Sequence, residues 1–425
     1  MRKLLFASLI PLLIVPIAWT TQPAWAVGPF APDPSWQTDG VVRSITYRKS
    51  TMFIGGEFTH MRPAGAAAGT DEVPRSHVAA INLKTGNVRP WKPDVNGNVF
   101  AVEVVGSTVY LGGSFTEVNG VARRNLAAVD RTTGHLLKWD PRADNTVREI
   151  QRGPEGTLFV GGRFVTIDGR ARRHIAEITT GGKLTGWAPR IGQISGFACP
   201  PRCPPNVLTI AFSVNGKLVY FGGHFGTVNG TPRDEVAAVR INDDRALRAW
   251  EPDPYADAHC PTCTTPETSR VYNLIVTKDK AFMCGGFWKV RHGTRNAYNV
   301  LVTNLTDGAP DPTFAAGDDG DTLGCALYQG VLYLGGHFDY AGAVCSQNPP
   351  GSSAKCTASN STARQHVVAV DATTGDILPW NPAANSIHGI ATIESGPGVV
   401  TIGGYFTQIG GTVQQGIAMY QRRLA

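Results

Sequence analysis

Thr108-Val109-Tyr110-Leu111-Gly112-Gly113-Ser114-Phe115 is a β-rich run that ends on two glycines, one free residue and an aromatic. A glycine pair weakens a strand, because it removes the side chains that would pack. One such pair would mean little in a chain of 425 residues with 49 glycines. The ending recurs, however, at Gly55-Gly56 with Phe58, Gly161-Gly162 with Phe164 and Gly222-Gly223 with Phe225. It recurs again at Gly285-Gly286 with Trp288, Gly335-Gly336 with Phe338 and Gly403-Gly404 with Phe406. Seven copies, spaced from 49 residues (112 to 161) to 68 residues (335 to 403), mark seven structural units.

Reading outward from each pair gives the unit. An apolar run and a turn such as Val105-Gly106-Ser107 precede it. A loop and a third apolar run follow, as in Leu126-Ala127-Ala128-Val129. Then a Thr-Gly turn, such as Thr133-Gly134, leads to Trp91, Trp139, Trp187, Trp250 or Trp380, with Phe314 in the fifth unit. The expected fold is all-β, a single seven-bladed β-propeller with four antiparallel strands per blade. Stacking lets each blade bury faces it cannot bury alone. The blades fall near 41–93, 97–141, 146–189, 206–252, 270–314, 321–382 and 387–421. The seventh unit lacks a fourth strand, and Asp33-Pro34-Ser35-Trp36 resembles Asp311-Pro312-Thr313-Phe314 at the end of the fifth. Residues 31–38 are therefore expected to complete the last blade and close the ring, which hides open strand edges.

Composition agrees with one large β domain over 27–425. Apolar residues are 42% of the chain, enough for an extended core, and charged residues 17%, below the ~25% of an average globular protein. The 39 basic and 33 acidic residues are spread along the chain, which argues against a nucleic-acid partner. Arg2 and Lys3, an apolar run from Leu4 to Trp19 and Ala24-Trp25-Ala26 read as a signal peptide over 1–26, cleaved before Val27. The expected product is secreted, without a membrane span, and monomeric.

The Asp-Pro-Ser-Trp segment, the apolar-Gly-Gly-x-Phe endings and the Arg-x-x-apolar-Ala that follows resemble the delta-60-repeat β-propellers of secreted bacterial proteins. Through the glycine pair they also resemble the kelch and galactose-oxidase central propellers. Ala128-Val129-Asp130-Arg131-Thr132-Thr133-Gly134, leading to Trp139, resembles the tryptophan-docking motif of quinoprotein propellers, with the tryptophan one residue late. These resemblances imply the scaffold and no single activity.

A residue type that recurs between units reads as scaffold, and one that occurs once is free for function. Arg75, Arg124, Arg173, Arg233, Arg295 and Arg364 precede the third strands and read as inter-blade pairing. His77, His174 and His366 share one repeat position and His224 and His337 another, so they also read as scaffold. The remaining histidines lack zinc spacing, and no nucleophile elbow or phosphate loop occurs. Asp318-Asp319-Gly320-Asp321 could take calcium but lacks the EF-hand pattern and reads as a surface loop. Insertions at 61–75, 193–206, 255–270 and 341–364 all fall in strand 2–3 loops or inter-blade links, hence on one face. Where those links meet the innermost strands, Asp39, Asn98, Asn145, Asn206, Arg270, Asp321 and His388 become the candidate ligand-binding channel rim, with turn-forming as their other reading.

Eight cysteines in an exported chain favour disulfides. Local bridges Cys199–Cys203, Cys260–Cys263 and Cys345–Cys356 are the simplest, with a zinc site on the first four as the alternative. Cys284, aligned with Leu111 and Leu334, and Cys325, aligned with Val102, are core positions of adjacent blades, either bridged or free. The expected function is an exported, non-catalytic scaffold that recognises an extracellular polysaccharide or protein on its loop-elaborated face, without a cofactor. The alternative is a propeller enzyme at the channel mouth, a lyase or hydrolase, or a quinoprotein-like oxidoreductase with a quinone.

Overall fold

The computed structural model describes residues 30–193, 204–244, 246–255, 269–287, 289–290, 297–342 and 361–421. Among these residues every regular element is a strand and there is no helix. The leader reading and Cys199, Cys203, Cys260, Cys263, Cys345 and Cys356 lie outside the described residues.

Seven antiparallel three-stranded sheets repeat one order, with the Gly-Gly strand in the middle. In the second unit these are Val99–Val105, Thr108–Gly113 and Leu126–Asp130. The central strands are apolar and buried on both faces, as fits a sheet packed between two others. Each unit's first strand packs on the first strands of its neighbours, and Ile390–Gly396 of the seventh packs back on Val42–Arg48 of the first. The order of the sheets is thus cyclic.

Among the described residues no unit has a full fourth strand, which corrects the sequence expectation. The fourth segment touches its sheet through one bridge per unit, such as Ile81 with Val88 and Val129 with Leu136. A proline two residues after each tryptophan, at Pro93, Pro141, Pro189, Pro252 and Pro382, removes a donor a longer ladder needs, and Pro90 and Pro379 remove another in the first and sixth units. Asp33 supplies the same edge to the seventh unit. Its N–H donates to Met419 O at 2.8 Å, as Arg89 does to Ala80 O at 2.7 Å in the first.

The glycine pair makes the stacking possible. A Cβ at Gly55 would lie 2.7 Å from Val102 Cγ2, and one at Gly222 would lie 2.7 Å from Val271 Cγ1, both on the next unit's first strand. A Cβ on the second glycine would run into the backbone at the start of its own unit's first strand, as Gly113 would into the carbonyl of Asn98, the residue before Val99. The tryptophans wedge the outer ends. Trp250 packs edge-on against Tyr220 of its own unit, and its indole N–H donates to Asn304 O of the next at 2.9 Å. Trp91 and Trp187 repeat the bond, to Asp130 O and Arg240 O.

The fifth unit departs from the rule and shifts the sequence alignment by one. Asn299 N donates to Phe287 O just as His77 N donates to Phe58 O, so Phe287 rather than Trp288 is the repeat aromatic. Cys284 therefore occupies the first-glycine position and Met283, not Cys284, matches Leu111 and Leu334. Cys284 reaches the next unit's first strand and forms a disulfide with Cys325. A close van der Waals approach in the other units is a covalent bond here.

The repeated arginines are scaffold, but within units rather than between them. Arg75, Arg123, Arg172, Arg233 and Arg364 each donate to the preceding residue's carbonyl and to one in the fourth segment of the same unit. In the second and third units the structure thus selects Arg123 and Arg172, not Arg124 and Arg173, and Arg295 lies outside the described residues. His77, His174 and His366 share their position with Asn125, Glu235 and Asn299, and all six have φ between 62° and 69°. This left-handed residue before the third strand is a backbone demand of the repeat.

Candidate functional site

The first strands surround a central cavity of about 910 Å3, to which all seven units contribute lining residues. One structural device aims side chains into it. In every unit the first strand carries a β-bulge opposite the glycine pair, such as between Val42 and Ser44 or between Val271 and Asn273. The extra residue has no ladder partner and turns inward. Arg43, Phe100, Arg148 and Tyr272 are bulge residues on one set of units, and Leu208, Leu323 and Ala391 on the others. These seven positions share a backbone and almost nothing else, the opposite of the glycines beside them.

A second varied set joins them. The residue between the second glycine and the aromatic is Glu57, Ser114, Arg163, His224, Gly286, His337 or Tyr405. Arg163 and His224 line the cavity. Sequence reasoning passed over this position, treating His224 and His337 as scaffold. The signal was present, because the position varies between units while its neighbours do not.

The mouth is basic on one side. Arg43 Nε pairs with Glu57 Oε1 at 2.8 Å, its Nη2 donates to the Tyr405 hydroxyl, and its guanidinium lies 4.8 Å from the Tyr405 ring centre. Arg148 lies 4.1 Å over the Phe100 ring. Its buried Nε has no hydrogen-bond partner. Burial, with repulsion from Arg163 and Arg43, brings the Arg148 guanidinium down to about 10. Across the mouth, Arg270 and Asp321 flank the Tyr272 hydroxyl at 3.4 and 3.5 Å. Burial raises the Asp321 carboxyl, and the Arg270 charge opposes that rise. Behind them His224 Nδ1 lies 3.6 Å from Glu235, which also accepts from Ser269 Oγ at 3.0 Å. Burial pushes Glu235 up to about 7.

Deeper in the channel the sign reverses. Glu103, Glu149 and Glu394 line it from three different units. Burial pushes Glu103 up to about 7 and Glu394 up to about 8. Glu149 rises well above its ordinary value through burial, with repulsion from the other two adding to it. Half-buried in the cavity wall, these carboxyls are shifted toward holding their protons near neutrality.

The candidate rim residues divide. Asn206 and Arg270 line the cavity, and Asp321 stands against Tyr272 beside them. His388 is exposed, with its ring 5.1 Å from Tyr405. Asp39 instead caps a turn, accepting from Thr59 N and His60 N. Asn145 accepts from Thr146 N, and Asn98 is half-buried outside the cavity, its carbonyl accepting from Ser114 N. Asp318, Asp319 and Asp321 serve three separate networks: Asp318 accepts from Asn299 and Thr322, and Asp319 from Asp339 N and Tyr340 N. Among the described residues no three His, Cys, Asp or Glu side chains converge as metal ligands, and no helix is long and apolar enough to cross a membrane.

The strand 2–3 hairpins and inter-unit links emerge together at the mouth and pair with each other. Gln37 pairs with Arg62, Ile191 with Val228, and Val95 with Val118. The insertion at 61–75 folds onto this layer through Gln37 Nε2, which donates to Pro63 O and Ala66 O.

No protein-family model matches the chain, and no curated protein does. Two solved structures are similar to it over nearly their whole length. One is the WD40 beta propeller domain of Doa1, with a TM-score of 0.49 and 9% identity over 92% of this chain and 98% of that one. The other is the computationally designed Ika8 protein, with a TM-score of 0.46 and 12% identity over 93% of this chain and 100% of that one. Both scores fall below one half, so the architecture stands on the chain's own sheets and packing.

Proposed function

We propose that the chain is a seven-bladed β-propeller of the delta-60-repeat kind, exported, and a non-catalytic binding protein that takes a polysaccharide or protein at its loop-elaborated channel mouth. The observation that carries this reading is the sevenfold bulge. One backbone device turns seven side chains of five kinds into a single cavity, while the surrounding repeat stays nearly uniform. Such a surface is built for selective recognition, because its residues can change without touching what holds the ring. The Cys284–Cys325 disulfide and the leader-like first 26 residues support an oxidising destination. A screen of the purified protein against glycans and envelope proteins tests the reading. Retention of one ligand class, lost in a Tyr272→Ala/Leu208→Ala double variant that still folds, is expected. Turnover of an envelope polymer by the wild-type protein would contradict it.

One observation favours an enzyme as the second reading. Glu394, pushed up to about 8, keeps its proton near neutral pH and Glu103, at about 7, keeps it in part, both on the cavity wall, as a general acid in a hydrolase or lyase requires. Turnover that disappears in Glu394→Gln would establish it.

A further inference from the structure

The three guanidiniums of the mouth are poorly compensated. Arg43 has Glu57 as its partner. Arg148 and Arg163 make no ion pair among the described residues, although both line the cavity and repel each other. Three positive charges thus face one carboxylate. The glutamates deeper in the channel offset them only in part: Glu149 and Glu394 are held largely protonated near neutrality, and Glu103 is pushed up to about 7. The arrangement is also held in place. Arg43 is fixed by Glu57 and the Tyr405 hydroxyl, and Arg148 by the Phe100 ring under it. Guanidiniums stacked on aromatic rings and left with free N–H groups are organised to grip a planar oxyanion.

A second observation comes from the neighbouring unit. Asn206 is only 6% exposed, lines the same cavity, and its Oδ1 has no hydrogen-bond partner. A buried acceptor of this kind calls for a donor. A carboxylate cannot donate, so the ligand must carry hydroxyl or amide donors beside its anionic group. A uronic acid joins both on one ring.

We propose that Arg43, Arg148 and Arg163 form a carboxylate-binding site in the channel mouth, and that the ligand is an acidic polysaccharide whose uronate carboxylate sits among them while a sugar hydroxyl donates to Asn206. This rests on the binding-protein reading above and names its ligand class. Anchoring through charge makes the interaction salt-sensitive. It also makes it selective against neutral chains, which would leave the guanidiniums desolvated and unpaired.

Isothermal titration of the disulfide-intact protein with trigalacturonate, maltotriose, a hexaglutamate peptide and inorganic phosphate tests the proposal. Trigalacturonate is expected to bind, more weakly at high salt. It is expected to weaken about tenfold or more in Arg148→Ala and in Arg163→Ala, with Arg148→Lys in between and the melting midpoints held. Maltotriose and phosphate are expected to bind at least about tenfold more weakly than trigalacturonate. Equal binding of trigalacturonate and maltotriose, or unchanged affinity in both arginine variants, would overturn the carboxylate site and leave the binding-protein reading standing. Tighter binding of the peptide or of phosphate would keep the anion site but overturn the polysaccharide. Absence of trigalacturonate binding overturns the proposal outright, and the glycan and protein screen then decides separately whether the broader reading survives.

Discussion

The glycine corner and the bulge face each other across two strands of one sheet, yet they differ in how far the chain lets them vary. In six units the first corner position is glycine, because the next unit's strand passes within van der Waals reach of its Cα. Opposite it the bulge residue ranges from arginine to alanine. The difference teaches where the ring is held and where it is free. The repeated glycines, tryptophans and arginines, together the shell, fix how units are built and stack. The channel wall carries side chains that the stacking does not constrain.

That contrast can be broken or sharpened, starting with the shell. Trp250→Ala removes a ring that is 1% exposed and its bond to the next unit. A loss of ~3–5 kcal/mol is expected in urea unfolding. A loss below about 1 kcal/mol would mean that the tryptophans do not join the units. Next comes the exception, the fifth unit. Cys284→Ala/Cys325→Ala should cost ~2–4 kcal/mol, since it opens a link spanning 41 residues of sequence. No change in stability would show that the covalent tie is idle. Gly222→Ala should then cost ~1–3 kcal/mol, because its Cβ would press on Val271.

Smaller effects belong to the channel. The folded-state carboxyls of Glu394 and Glu103 lie above their unfolded values, so the folded protein binds more protons. The stability they contribute is complete below the unfolded carboxyl range. It is lost as pH rises through about 7 for Glu103 and about 8 for Glu394. Melting midpoints should therefore fall between pH 5 and pH 8, and Glu394→Gln should flatten that fall. A wild-type curve that rises over this window would contradict the burial of these groups. The smallest effect is expected for Arg148→Ala, whose stability should stay within ~0.5 kcal/mol of wild type, because losing its stacking on Phe100 is offset by relief of repulsion.

Much of the shell was legible in the sequence. Recurrent Gly-Gly endings announce close approach, and Asp33-Pro34-Ser35-Trp36 announced the strand edge that the seventh unit borrows. The channel wall was legible only in part. A bulge is one extra residue in a pairing, so Arg43 and Arg148 look like ordinary strand positions until the register is seen. Gly285-Gly286 imitates the repeat pair and hid Cys284 in the glycine's place. Adjacent identical residues such as Arg123-Arg124 cannot be told apart by pattern, although only the first reaches the Leu137 carbonyl. Asx residues near a strand start serve equally as turn caps and as pore lining. The structure places Asp39 as an acceptor of the His60 N–H in a turn and Asn206 on the cavity wall.

The division between shell and wall has one direct test. Arg43, Phe100, Arg148 and Tyr272 are replaced together by alanine, and the melting midpoint and the affinity for the wild-type ligand are measured on the same preparation. The melting midpoint should hold while binding disappears. Unimpaired binding, or a ring that no longer folds, would contradict the account.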